Sequence, residues 1–312
     1  MTRLGVGTGA SEAYTRRMGE GDTEITTIKS SWAAVQDHTR HFSDFTFIYP
    51  VISRRSKGLS IGVNLNPDKV CNFDCIYCEV DRRIPGAVTE VDLRQMKDEL
   101  TAMIRFAKDG GLAKEPKFDE VPWLTRKVKD IAFSGDGEPT MIHNFADCVQ
   151  TVVDVKQAED LSATEIVLIT DAAGLDKADV KRGLEIMDAH EGEVWGKLDA
   201  GTEDYFKAVN RTNVKFQRIL DNLLATAKKR PIIIQSLFLK VHGDPMSAAE
   251  LESYCDRLQE LSVGGGQIRE VHLYTVARPT PEAFATKLEL AELESMAATV
   301  RERTGLTVAV FP

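Results

Sequence analysis

No stretch of the 312 residues approaches the roughly 18 consecutive apolar side chains that a membrane-spanning helix requires. The N-terminus, M-T-R-L-G-V-G-T-G-A-S, carries Arg3 but lacks the continuous apolar core of a secretory signal, so the expected location is the cytoplasm. Basic charge is in deficit. There are 39 Lys plus Arg against 48 Asp plus Glu, a formal net charge of −9, which argues against generic electrostatic binding to a polyanion. The short basic runs Arg54, Arg55, Lys57 and Lys228, Lys229, Arg230 read as solvated surface. Cysteine is scarce outside one segment. Five cysteines, an odd number without a secretion signal, argue against a disulfide framework. The G-V-G-T-G-A-S segment follows no strand and lacks the lysine of a phosphate loop.

What is present is an ordinary globular composition, 43% hydrophobic and 28% charged, in a chain long enough for a large core. Residues 1–44 are polar and weakly patterned, with Trp32 and Val35 the only hint of a short helix; a flexible or loosely docked extension is expected there. Residues 45–312 are expected to form one domain. Apolar runs of strand length recur at Leu59–Leu65, Asp130–Ser134, Glu165–Thr170, Glu193–Asp199, Pro231–Phe238 and Glu270–Val276, with a final strand at Leu306–Phe311. Helical periodicity fills the intervals at 92–107, 141–155, 177–189 and 214–228. Two further helices are expected to start at capping boxes, Ser247 with Glu250 and Thr286 with Glu289, and Gly305 to end the last. Val/Ile/Leu-rich strands alternating with helices predict an α/β fold: a parallel sheet with outer helices, curled by right-handed crossovers into a partial (β/α)6 barrel.

Three of the five cysteines, Cys71, Cys75 and Cys78, fall within eight residues as C-x3-C-x2-C. A structural zinc site uses four ligands, commonly as two C-x2-C-type pairs, and neither Cys148 nor Cys255 has a partner beside it. A four-iron cluster also takes four thiolates as a rule, so three would leave one iron open. Incidental buried thiols are the remaining reading, whereas Cys255 falls on the apolar face of its predicted helix and reads as packing. The triplet follows the first predicted strand directly. That places it at the C-terminal edge of the sheet, where (β/α) barrels keep their chemistry.

The second predicted strand ends in Ser134-Gly-Asp-Gly-Glu-Pro-Thr140. Gly135 and Gly137 permit close approach of the backbone to a ligand, and around Asp136, Glu138 and Pro139 carbonyls and a carboxylate can accept hydrogen bonds from an ammonium. Lys197 and Asp199, two residues apart on a strand, point the same way: a lysine there can hold a carboxylate, or the two can form a structural ion pair. Gln235, Ser236 and Thr275 end other strands, and Arg278 offers bidentate binding of an anionic group. His143 reads as surface.

The three-cysteine spacing resembles that of the radical S-adenosylmethionine (SAM) superfamily. Together, the S-R-R-S-K-G-L-S-I-G-V-N-L-N-P segment, G-D-G-E-P-T, K-L-D-A-G and Y-T-V-A-R-P are similar to its wyosine-synthesis-related (4-demethylwyosine synthase-like) branch over residues 48–312. The resemblance implies an iron–sulfur oxidoreductase: Cys71, Cys75 and Cys78 hold one [4Fe-4S] cluster, and SAM chelates the open iron and is split reductively to a 5′-deoxyadenosyl radical that abstracts hydrogen from a substrate. It also implies that Tyr77 lies beside the adenine, that the 135–139 turn holds the SAM amino group, and that Thr170 and Asp171 meet its ribose or carboxylate. An external reductant such as flavodoxin or ferredoxin is implied as a partner. A tRNA substrate is a further implication, one the net charge does not support.

Overall fold

Every predicted strand forms, and each divides its side chains between two faces. The computed structural model describes residues 28, 32–37, 40, 42–86, 88–278 and 280–312. Its main strands are Ile48–Ser53 (β1), Gly58–Val63 (β2), Val128–Phe133 (β3), Glu165–Thr170 (β4), Gly192–Lys197 (β5), Ile232–Leu237 (β6), Ile268–Tyr274 (β8) and Val308–Phe311 (β10). Lys240–Val241 (β7) and Ala285–Thr286 (β9) pair separately as a small antiparallel ladder. The eight main strands form one sheet in the order β1-β2-β3-β4-β5-β6-β8-β10, parallel from β2 onward. It curls into a half-barrel, so that Tyr49 and Val51 of β1 and Phe311 of β10 line the same cavity.

Period-two alternation separates two cores. Leu59, Ile61, Ile131, Phe133, Ile166, Leu168, Ile232, Ile234, Val271 and Leu273 face outward into the main apolar cluster beneath the helices. Ala132, Val167, Trp195 and Ile233 form a small cluster on the inner face. The outer layer comprises Leu93–Lys108 (α2), Phe145–Ala158 (α3), Ala178–Asp188 (α4), Phe216–Ala227 (α6), Ala248–Val263 (α7) and Leu290–Thr304 (α8). Met96, Leu100, Met103 and Ile104 of α2 are fully buried, as the helical spacing predicts. Cys148 and Cys255 are buried in the same cluster as packing residues.

Four details differ from expectation. The strand β1 was hidden by Pro50, which reads against a strand interior; it is tolerated because β1 is an antiparallel edge, with Pro50 opposite Ile61. The helix α8 starts at a capping box of Glu289 with Glu292, not at Thr286, which lies in β9. Ser247 caps α7 by accepting from the Glu250 N–H, but the Glu250 carboxylate turns away and accepts from the Gly201 and Thr202 backbone. A short helix, Glu203–Asn210 (α5), precedes α6, capped by Thr202. Of residues 1–44, most lie outside the described residues. The described part includes Ala33–Gln36 (α1), in which Ala34 and Val35 are buried, and Arg40, whose guanidinium reaches the sheet edge.

Candidate cofactor site

The chain leaves β2 at Val63 and reaches Cys71 through a loop fixed at several points. Asp74 and Ile76 donate backbone N–H groups to the carbonyls of Asn210 and Val209 at the end of α5, and the Cys78 N–H closes a turn onto the Cys75 carbonyl. Thr212 Oγ1 donates to the Asn72 carbonyl at 2.9 Å. All three cysteines are unpaired, partly exposed thiols on the wall of one cavity of about 310 Å3. Two of the sulfurs receive hydrogen bonds: Arg82 Nη1 lies 2.8 Å from Cys78 Sγ and Asn210 Nδ2 lies 3.4 Å from Cys75 Sγ. Burial pushes the Cys71 thiol well above its ordinary range and the Cys75 thiol up to about 12, with nearby Lys197 opposing the rise at Cys75. Thiols held high in this way stay protonated until a metal takes the proton's place.

The Gly135–Glu138 turn leaves β3 directly beside this loop. The glycines are needed for protein against protein: a Cβ at Gly137 would lie 1.9 Å from the Val70 carbonyl oxygen, and one at Gly135 would lie 2.3 Å from Asn64 Oδ1. Glu138 N–H donates to the same Val70 carbonyl at 3.2 Å. The Glu138 carboxylate is already saturated. It accepts from the Thr140 N–H, Thr140 Oγ1 and Thr170 Oγ1 through one oxygen, and from the Asp171 N–H through the other. It therefore fixes the turn to the ends of β3 and β4 and is not free to meet a ligand. Asp136 is likewise engaged, with Asn64 Nδ2 at 2.7 Å and Arg40 Nη1 at 3.1 Å, and neither Asp136 nor Pro139 lines the cavity. The cavity-facing parts of the turn are Gly135, Gly137 and Glu138. Asp171 faces the cavity too, 4% exposed, with Oδ1 accepting from the Ala173 N–H and Oδ2 unpaired. Burial, reinforced by the Glu138 charge, raises its carboxyl well above the usual range.

Lys197 and Asp199 do form an ion pair, at 3.4 Å. Asp199 is buried behind it, accepting from Tyr77 Oη, Asn210 Nδ2 and the Leu237 N–H, and does not line the cavity. Lys197 does. Its ammonium donates to Tyr274 Oη at 3.0 Å and lies 5.0 Å from the Tyr77 ring centroid. Burial pulls its pKa down, but Asp199 and Tyr274 outweigh burial and hold it above the ordinary lysine range. Tyr77 is buried to 8% exposure with its ring against Lys197. Arg278 lines the cavity and pairs with Glu79, the residue after the third cysteine. Gln235 and Thr275 line the cavity, whereas Ser236 faces outward to the Leu198 carbonyl and Tyr254. His143 is exposed in the bend before α3.

The basic run before the cysteines was misjudged. Arg54 and Arg55 line the cavity, and only Lys57 is exposed. Arg230 is also drawn in, paired with Asp188 at 3.0 Å. Arg40, Arg82, Asn210 and Tyr274 were not singled out from the sequence. Arg82 had one usable signal, its place four residues after Cys78.

Among the described residues, no three His, Cys, Asp or Glu side chains converge to hold a single metal ion.

No family model matches the chain. Over 249 residues it is 26% identical to the protein named GTPase Obg of Brachyspira hyodysenteriae, covering 78% of this chain and 32% of that one. It is 27% identical over 178 residues to UPF0026 protein MJ1312 of Methanocaldococcus jannaschii, covering 56% and 48%, and 25% identical over 235 residues to a UPF0026 protein of Helicobacter pylori strain J99, covering 74% and 66%. The chain thus spans between a third and two thirds of the relatives' own lengths. Among solved structures, Streptococcus suis SuiB bound to S-adenosylmethionine superposes with a TM-score of 0.54 at 14% identity, over 80% of this chain and half of SuiB.

The fold is a partial (β/α) barrel like that of SuiB. In it the cysteine loop and the G-D-G-E-P turn are adjacent strand-to-helix connections, and β2 and β3 are hydrogen-bonded neighbours. Sheet topology alone therefore brings the two motifs to one rim. No helix among the described residues is long and apolar enough to cross a membrane.

Proposed function

We propose that the protein is a radical SAM enzyme in which Cys71, Cys75 and Cys78 hold one [4Fe-4S] cluster. The observation that carries this reading is Arg82, which bridges the two motifs: it donates to Cys78 Sγ and, through Nη2 at 3.2 Å, to the Asp136 carbonyl. Three free thiols and a glycine turn locked to each other at one cavity mouth fit a group that needs three thiolates and a ligand on its open position.

When bound, the cluster and SAM supply one-electron reductive cleavage of the sulfonium and hence a hydrogen-abstracting radical. The chain's own residues supply the rest. Arg82 and Asn210 direct N–H groups at two of the sulfurs that would hold the cluster. Carbonyls of the 135–137 turn and the cavity-facing Asp171 carboxyl would accept from the SAM ammonium and ribose, with Glu138 holding that turn in place. Tyr77 supplies ring surface, and Lys197, kept charged by Asp199, holds a carboxylate in the cavity. The half-barrel shields the reacting atoms from water. Flavodoxin or ferredoxin serves as the external electron donor. The word GTPase belongs to the relative that carries it: this sequence has no G-K-S/T phosphate-loop motif.

Anaerobic reconstitution tests the proposal. The expected result is about four irons per chain, a visible spectrum that changes when SAM is added, and 5′-deoxyadenosine release under dithionite that Cys75→Ala abolishes. One tightly held zinc, or undiminished deoxyadenosine from that variant, would sink it.

A further inference from the structure

Inside the half-barrel, on strands β5, β6 and β8, the cavity wall carries polar groups that the cofactor reading leaves unused. The register places Gln235 of β6 beside Lys197 of β5 and His272 of β8. Trp195 and Tyr274, two residues from those neighbours, share the inward face. Gln235 therefore sits in the middle of a polar and aromatic patch. It is 0% exposed, it lines the cavity, and neither Oε1 nor Nε2 has a hydrogen-bond partner. A buried amide with both ends unmet is costly, so a polar partner is expected in the cavity.

Arg55 approaches the same patch from the β1–β2 turn, across the half-barrel. Its guanidinium carbon lies 5.6 Å from the Trp195 ring centroid and 5.0 Å from that of Tyr274. Among the described residues, it has ring faces for company and no carboxylate or hydrogen-bond acceptor against its planar fork. Of the wall's other cations, Arg278 pairs with Glu79 and Arg40 with Asp136, Arg82 is engaged by Cys78 and the Asp136 carbonyl, and Lys197, paired with Asp199, is already assigned to the cofactor site. Arg54 beside Arg55 meets the Pro312 main-chain oxygen, and the Glu79 charge offsets part of the crowding around it. Its pKa is pulled down to about 10 by burial and by the charges of Arg55 and Arg278. Asp130 feels the Arg55 charge without an ion pair to it; it accepts from Ser60, and burial raises its carboxyl. An anion entering here would relieve crowded positive charge and complete both donors.

We propose that Arg55 and Gln235, set between Trp195 and Tyr274, form an oxyanion-binding subsite that takes a small substrate bearing a carboxylate or phosphate. The inference rests on the radical SAM reading only in calling the ligand a substrate. Arg55 binds the oxyanion bidentately, stacking fixes the plane of the guanidinium, and Gln235 meets a neighbouring hydroxyl, amide or carbonyl of the same molecule. The enclosed position of Gln235 excludes a flat macromolecular surface as the direct ligand.

The test uses the full chain with Trp32→Phe and Trp123→Phe, which leaves Trp195 as the sole tryptophan of three. Malonate and inorganic phosphate are the probes, and Trp195 emission is the readout. The expected result is a saturable change with at least one probe, the stronger binder distinguishing carboxylate from phosphate. Arg55→Ala should weaken that binding about tenfold or more, Arg55→Lys should weaken it because the fork is lost, and Gln235→Leu should weaken it as well. Lys57→Ala, an exposed neighbour, should leave it unchanged. Should Arg55→Ala fail to fold by circular dichroism, Arg55→Lys and Gln235→Leu decide the matter. Absence of saturable binding with both probes, or identical binding by the Arg55 and Gln235 variants, would overturn the subsite. Because this readout needs no cluster, the two proposals fail separately. Anion binding by a chain that never takes up iron removes the enzyme reading alone, and a SAM-responsive chain blind to both anions removes the subsite alone.

Discussion

Arg82 donates to the sulfur of Cys78 at 2.8 Å, and the same guanidinium reaches the carbonyls of Lys69 and Asp136, each at 3.2 Å. One side chain thus ties the third cysteine, the start of its loop and the neighbouring glycine turn into a single unit. A hydrogen bond to a thiolate is charge-assisted, and truncating such a donor costs about 1.5 kcal/mol or more, roughly tenfold in an equilibrium. Arg82→Ala is therefore expected to retain fewer irons per chain after desalting and to need about tenfold more SAM for the same spectral change. Arg82→Lys should recover the charge and lose the bridging. Iron content and SAM response equal to the parent protein in Arg82→Ala would show that the bridge does not organise the site.

The parts of the fold that were legible in the sequence are those where one residue type repeats at a fixed period. All seven parallel strands appear within a residue or two of their apolar runs, because both faces are covered and the Val/Ile/Leu signal is continuous. The β1 strand was not legible, because Pro50 looks like a terminator until its edge position is known. Likewise the two motifs of the site were visible as contiguous strings, while their supports were not. Asn210 comes from a two-turn helix lost between β5 and α6, and Arg55 looked like one more charge in a solvated turn. What brings Arg55 to Trp195 is the curl of the sheet, a long-range consequence that no local pattern encodes. The glycines of the turn were legible as a need for closeness, but the close neighbour is Val70 and Asn64.

Asp199 is the buried centre of a network that joins Tyr77, Lys197, Asn210 and the β6 backbone. The side chains of Asp199 and Lys197 are 1% and 16% exposed, so removing one charge leaves the other with little solvent to replace it. Asp199→Asn is expected to destabilise the protein by about 3 kcal/mol or more, read by urea denaturation. Adding Lys197→Met to that variant should recover part of the loss, because the orphaned ammonium is then gone. A change below about 0.5 kcal/mol in Asp199→Asn, or no recovery in the double variant, would count against this account.

His272 is 4% exposed on the inner face of β8, its Nε2 2.9 Å from the Glu270 carboxylate and its ring edge-on to Trp195 and Phe311. Burial, aided by the Arg55 charge and opposed by Glu270 and Glu193, lowers its pKa from the ordinary value of 6.5. The folded protein therefore keeps this ring neutral at a pH where the unfolded chain protonates it. The sign follows from linkage: the unfolded state binds the extra proton below about pH 6.5, so the contribution of His272 is intact above that pH and is lost as the pH falls through it. Urea titrations between about pH 7.5 and 5.5 should show stability falling toward the acid side, by no more than about 1.4 kcal/mol per pH unit for this one group. His272→Gln, which cannot titrate, should have a flatter profile over the same window whatever its absolute stability. Profiles of equal slope in the two proteins would mean that the ring is protonated alike in both states, and that the neutral inner wall beside Trp195 does not exist.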